Sequence, residues 1–349
     1  SWSKAVVKLI PGFIRRAPAF WNWVENACQR NPRLTALFTA YRPDAIITAS
    51  AGAEGGDIPF LVYGRRYRVP VVAVDNNIDV FTYRYFSKVR DGFLFALFNE
   101  RQKQEAQEIQ KLPPERAVVT GAARYDFYYR FTPAPRQQFI ASLGLDPRKK
   151  LITYGAKIPK MYPDNDFIIE LLLDYVRAHA QEPAQLFVRF DPGHSPDLYT
   201  DLLEKNKGLV AWERAEHAQD RDYIANLFSH SDVVVSIGST FNIEAALLDT
   251  PSVWIGFDRR FSFANRHTYV NGEASYNIIY DLALYQWLLK TGGIAFARTK
   301  EEAIACVADA LAHPARESEK RKRLAEQVNF RADGCAGRRI AELVVRLMQ

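Results

Sequence analysis

Residues 232–256 read DVVVSIGSTFNIEAALLDTPSVWIG. Positions 233–235 are a short β-branched run, the signature of a buried strand. Positions 236–240 are small, polar and Gly-containing, which makes a turn. Positions 241–249 hold helix formers, and Thr250-Pro251 ends them before a second apolar strand at 252–255. Strand, turn, helix and strand follow one another as in a parallel βαβ unit. In such a turn the N–H groups of the helix start converge on one spot, where the helix dipole favours negative charge. Beside Gly238, the hydroxyls of Ser239 and Thr240 add two donors for a phosphate. Glu244 stands one helical turn beyond Thr240 on the same face, where a carboxylate accepts from sugar or ribose hydroxyls. A plainer reading stands beside this one. Ser239 then caps the helix and Glu244 is a solvated helix residue, since the turn lacks the lysine of a P-loop.

The same rhythm runs outward from this stretch. Strands are predicted at 151–154, 186–189 and 210–212, with helices at 137–143, 166–180, 198–206 and 223–229 between and after them. A helix and a strand follow within 281–299, then helices at 301–312 and 318–328. Gly155-Ala156-Lys157 follows the first of these strands; a small residue there lets the backbone approach a ligand, and Lys157 can meet phosphate. Arg189 ends the second, and an arginine just past a buried strand is costly unless paired with phosphate or carboxylate. In the first third, strands are predicted at 44–49, 69–74, 92–98 and 117–120, with helices to about residue 66 and at 100–111. Strands alternating with helices imply parallel sheets whose ligands gather at strand carboxyl ends. Glu54 and Asp57, after the first strand, and Asp75, after the second, are the carboxylates placed to act as a base. Each also fits an ordinary turn or cap.

Three stretches carry a resemblance: 98–126 (FNERQKQEAQEIQKLPPERAVVTGAARYD), SIGSTFNIEAALLDTPSVWIG and 333–344 (DGCAGRRIAELV). In that order they resemble segments of GT-B glycosyltransferases, in particular bacterial surface-polysaccharide enzymes near the UDP-N-acetylglucosamine 2-epimerase and CDP-glycerol transferase groups. The resemblance implies an α/β chain of two Rossmann-like domains facing across a cleft. Residues 1–131 would form the acceptor side and 132–349 the nucleotide-sugar side, the terminal helix packing back on the first domain. Such relatives often carry Arg-x-His-Pro where this chain has Arg189-Phe190-Asp191-Pro192, so Arg189 matches, Asp191 stands in the place of His, and His194 is displaced. They tend to have Trp-Asp-Asn where Val74-Asp75-Asn76 stands here. A long helical stretch precedes the first strand. Either an initial strand and helix are missing from this chain or the domain is a reduced, four-stranded one.

Composition narrows the class. The chain has 349 residues, 48% hydrophobic and 25% charged, which suits two domains of a soluble globular protein. Cys28, Cys306 and Cys335 are far apart and lack metal-ligand spacing, against both a disulfide scaffold and a zinc site. Residues 1–131 hold 19 Lys and Arg against 12 Asp and Glu, an excess of seven, while the whole chain carries +6. No nucleic-acid motif accompanies it, so an anionic membrane surface or a phosphate-bearing acceptor is the expected partner. Lys4, Lys8, Arg15 and Arg16, set among Trp2, Phe13, Trp21 and Trp23, suit an interfacial helix.

The expectation is therefore a cytoplasmic transferase, peripheral at the inner membrane face. It would move a sugar from a nucleotide-sugar donor to a surface glycan or lipid-linked acceptor. It would use no cofactor and no metal, since no Asp-x-Asp clamp appears at a strand end. The donor would be held by Gly155, Lys157, Arg189, Gly238, Ser239, Thr240 and Glu244, and Asp57, Asp75 or Glu54 would be the base. A CDP-glycerol-type phosphotransferase and a non-catalytic glycan-binding scaffold are the alternatives.

Overall fold

The computed structural model describes residues 23–24, 27–50, 56–75, 77–78, 93–109, 111–159, 162–179, 181–191, 196–213, 217, 220–259, 280 and 282–349. Glu54, Asn76, His194, Arg260, His267 and the segment with Lys4, Lys8, Arg15 and Arg16 lie outside them. The chain forms two compact units, Ser1–Asp126 with Val328–Gln349, and Phe127–Gln327. Among the described residues no helix is long and apolar enough to cross a membrane.

The first unit carries a parallel sheet in the order β1-β2-β3-β4, from Ile46–Thr48, Val71–Val74, Phe93–Leu97 and Ala117–Val119. Its helices are α1 (Pro32–Tyr41), α2 (Ile58–Tyr67), α3 (Glu100–Glu108) and the terminal helix, α12 (Ala336–Met348). One sheet face buries Val71, Ala73, Phe93, Phe95 and Leu97 against Leu61, Val62 and Ala106 of α2 and α3. The other packs Val72 and Ala96 on Ile340 and Leu343 of α12. Parallel strands buried on both faces read as continuous apolar runs, which is why VVAV and FLFAL do not alternate.

The segments 98–126 and 333–344, far apart in sequence, are joined in this unit. The Asp126 carboxylate accepts from Ala336 N–H at 3.0 Å and Gly337 N–H at 2.7 Å, capping α12 with negative charge at its positive end. Arg339 Nε donates to the Thr120 carbonyl at 2.6 Å, and Ala122 N–H to Asn329 Oδ1 at 2.7 Å. Asp126→Ala should therefore cost the fold about 1–2 kcal/mol, read as a lower urea midpoint. An unchanged midpoint would show that the cap contributes nothing.

The second unit carries a six-stranded parallel sheet, β10-β9-β8-β5-β6-β7. Its strands are β5 (Lys150–Gly155), β6 (Ala184–Arg189), β7 (Val210–Trp212), β8 (Val233–Ser236), β9 (Ser252–Ile255) and β10 (Ala295–Ala297). Its helices are α4 (Arg136–Ser142), α5 (Asn165–Ala178), α6 (Thr200–Lys205), α7 (Arg221–His230), α8 (Thr240–Leu247), α9 (Ala283–Lys290), α10 (Lys300–Ala312) and α11 (Ser318–Val328). The chain moves from β5 out to β6 and β7, returns through α7 to β8 on the other side of β5, then moves out to β9 and β10. The order reverses between β5 and β8, and in open parallel sheets the crevice beyond that point is where ligands bind. Registers Gly155↔Arg189 and Gly155↔Ser236 align the ends of β6, β5 and β8 there.

Candidate functional site

The βαβ unit read from the sequence is present as β8, α8 and β9, and its turn is built more tightly than spacing alone suggests. Ser236 Oγ donates to Asn242 Oδ1, and Asn242 Nδ2 donates to the Val253 carbonyl at 3.2 Å. The fully buried Asn242 thus ties the end of β8 to α8 and β9. Gly238 has φ +41°, a left-handed conformation that favours glycine. Its N–H donates to Tyr280 Oη at 2.7 Å, and its carbonyl accepts from Tyr285 Oη at 3.2 Å. The Gly238 N–H, which the sequence offered to phosphate, is thus engaged by a tyrosine 42 positions away. Ser239 caps α8, its Oγ accepting from Phe241 N–H at 3.3 Å. The N–H groups of Ser239 and Thr240 and the Thr240 hydroxyl have no partner among the described residues, and both residues are half-buried. They are the donors left at this helix start.

Glu244 is half-buried, and its Oε2 accepts from Tyr128 Oη at 2.7 Å. It is a held carboxylate, not a solvated helix residue, and Tyr128 was absent from the sequence reading. Gly155 stands against Phe241. A Cβ there would stand 2.8 Å from the Phe241 ring, so the room left by the missing side chain is filled by the protein itself. Lys157 sits half-buried in the loop after β5, fastened by Asn165. Asn165 Oδ1 accepts from Lys157 N–H at 3.0 Å and Nδ2 donates to the Lys157 carbonyl at 2.9 Å, while Tyr154 Oη donates to Oδ1 at 2.8 Å.

Arg189 meets a carboxylate, one of the two partners that the sequence offered it. Its guanidinium, offered to diphosphate, is 8% exposed and paired with Glu213, itself 6% exposed. The register Val188↔Trp212 places residue 213, just past β7, beside residue 189. Burial pushes the Glu213 carboxyl up to about 7, against the lowering pull of Arg189.

In the first unit, Asp57 and Asp75 both follow strand ends, in different surroundings. Asp75 is 4% exposed and Oδ1 lies 3.5 Å from Asn77 N–H. Gln102, buried at the start of α3, holds the same loop, its Nε2 donating to the Asn77 carbonyl at 2.9 Å. Asp57 is half-buried before α2, with no side-chain cap bond, and its Oδ2 accepts from Ser50 Oγ at 2.7 Å.

The chain is similar to the UDP-GlcNAc 2-epimerase of Neisseria meningitidis bound to UDP-GlcNAc, with TM-score 0.61 and 13% identity over 97% of this chain and 83% of that one. A UDP-GlcNAc 2-epimerase from Methanocaldococcus jannaschii follows with TM-score 0.59 and 10% identity over 94% and 82%. The fold is GT-B. A glycosyltransferase from Rickettsia africae shares it with TM-score 0.53 and 12% identity over 96% and 83%. No family model matches the chain, and no curated protein matches it.

Proposed function

We propose that the second unit binds a nucleotide-activated sugar and that the chain transfers that sugar to a bacterial surface glycan or its lipid-linked carrier. The observation that carries this reading is the α8 start. Among the described residues, two N–H groups and a hydroxyl stand without partners at a helix N-terminus, beyond the strand-order reversal, with a held carboxylate one turn away. The leaving diphosphate is met by Ser239 and Thr240 and by Lys157, and the ribose hydroxyls by Glu244, so no metal is required. Asp57, hydrogen-bonded by Ser50, takes the proton from the acceptor hydroxyl.

The test begins with thermal shift against UDP, CDP and GDP. One of them is expected to raise the Tm of the wild-type chain, and Glu244→Ala should weaken its binding by about one to two decades. Tyr128→Phe should weaken it less, because the carboxylate remains. Stabilisation by none of the three counts against this reading. The likeness to the Neisseria epimerase, which is bound to UDP-GlcNAc, favours a second reading, epimerisation of the donor itself. NMR of donor incubated with the chain separates them: an epimer formed without acceptor supports epimerisation, and nucleoside diphosphate released only with acceptor supports transfer.

A further inference from the structure

We propose that the first unit docks on an anionic phospholipid bilayer through the surface formed by Trp23, α1 and the C-terminal end of α2. The evidence is the local charge, what stands beside it, and how firmly the surface is built. Residues 29–43 and 63–69 contain six arginines, at 30, 33, 42, 65, 66 and 68, and no acidic residue. Trp23, Arg30, Arg65 and Arg66 line one open hollow of about 510 Å³.

Two of these arginines stand where the fold itself gains nothing from them. Arg30 and Arg33 flank the start of α1, whose first turn holds no acidic residue, so they meet the positive end of the helix dipole. An anionic partner offsets that repulsion. Arg65 and Arg66, in the last turn of α2, face a favourable dipole and add to the same field.

Trp23 and the same two helices expose large apolar side chains. Trp23 is 67% exposed, Tyr41 78%, and Leu37 and Tyr67 are also exposed. Leu37 and Tyr41 lie one turn apart on α1. Indole and phenol rings among arginines match the interfacial zone of a bilayer, where amphipathic rings sit at headgroup level. Leu37, an exposed aliphatic residue, offers nothing to a nucleotide base or a sugar but can enter acyl chains. This favours lipid over a nucleic acid or an anionic glycan.

The surface is firmly built. Tyr63, fully buried, donates to the Asn31 carbonyl at 2.9 Å and accepts from Asn31 N–H at 2.8 Å, binding α1 to α2. Phe38 packs on the rings of Tyr63 and Tyr67, and Asn31 caps α1 through Arg33 N–H. Arg66 lies over the Tyr63 ring at 4.6 Å. Basic and aromatic groups are thus presented together without ordering on contact.

The test is sedimentation of the full chain with vesicles of phosphatidylcholine alone or mixed with phosphatidylglycerol. Binding is expected only to the anionic vesicles, weakening as salt shortens the Debye length. Replacing Arg30, Arg33, Arg65 and Arg66 by Gln should lower partitioning by about two to three decades. Leu37→Ser with Tyr41→Ser should lower it by about one decade while leaving its salt dependence in place. Circular dichroism and the urea midpoint establish that both variants remain folded. Equal binding to the two vesicle types, no binding to either, or full binding by the four-arginine variant would each overturn the proposal. So would a vesicle-free change of oligomeric state in that variant, which would assign the surface to a second copy of the chain. None of these outcomes depends on nucleotide binding, so the transferase reading stands or falls separately.

Discussion

Arg189→Leu is expected to destabilise the second unit by about 3–5 kcal/mol at pH 8. The variant leaves Glu213 buried without its cation, and desolvation of a lone carboxylate is the dominant cost. Replacing both residues, as Arg189→Leu with Glu213→Leu, should return most of the loss, because a buried ion pair exchanged for apolar groups is often nearly neutral. The pH dependence has a definite sign. Burial raises the Glu213 carboxyl from the ordinary 4.5 to about 7. A raised folded-state value contributes stability that is complete below the unfolded value and lost as pH rises through about 7. Wild-type stability should thus fall relative to Glu213→Gln between those two values, by up to about 3 kcal/mol. The Arg189→Leu deficit should shrink toward pH 5, where Glu213 is neutral in the fold. Urea denaturation at pH 5 and 8 measures both. A loss under 1 kcal/mol for Arg189→Leu at pH 8, or a double variant no better than the single one, would show that the pair is not what holds this sheet edge.

The contrast between Arg189 and Glu213 shows where the sequence was legible. The strands at 151–154, 186–189, 233–235 and 252–255 announce themselves through apolar runs ended by turn residues, because a strand buried on both faces has no polar positions to offer. Their carboxyl ends therefore locate the site edge, and an arginine there signals a partner. What the sequence does not carry is which group answers. Glu213 sits in the polar run ERAEH and looks like any solvated glutamate; only strand order, placing β7 beside β6, brings it to Arg189. The same holds for Tyr280 on the Gly238 N–H, Tyr128 on Glu244, and Asn165 and Asn242, which are wholly buried. Each joins elements that are neighbours only after the chain has folded. One signal was present: polar residues directly after strands or at helix starts, such as Asn99 and Gln102, are the ones that tie loops down.

Asp57→Asn is expected to lower turnover by about two to four decades with donor affinity within about twofold of wild type. The fold places the two candidate carboxylates described in the first unit, Asp57 and Asp75, in different surroundings. Asp75 is buried and its loop is held by Gln102, which makes Asp57 the more accessible of the two. Asp57 keeps a half-buried carboxylate before α2, and Ser50 Oγ donates to one oxygen, fixing its orientation and leaving the other to accept. Asparagine keeps the shape and the Ser50 contact but cannot take a proton, so the loss should fall on kcat and not on KM. Ser50→Ala should cost less, about one decade, because it loosens the carboxylate without removing it. Asp75→Asn should leave turnover within about tenfold. The measurement is acceptor-dependent release of nucleoside diphosphate, using whichever nucleotide donor stabilises the chain. If Asp75→Asn loses more than Asp57→Asn, the base is the buried carboxylate and the loop around Asn77 must open during the reaction. If neither variant loses a decade, no carboxylate tested here is the base, and the proton leaves by another group.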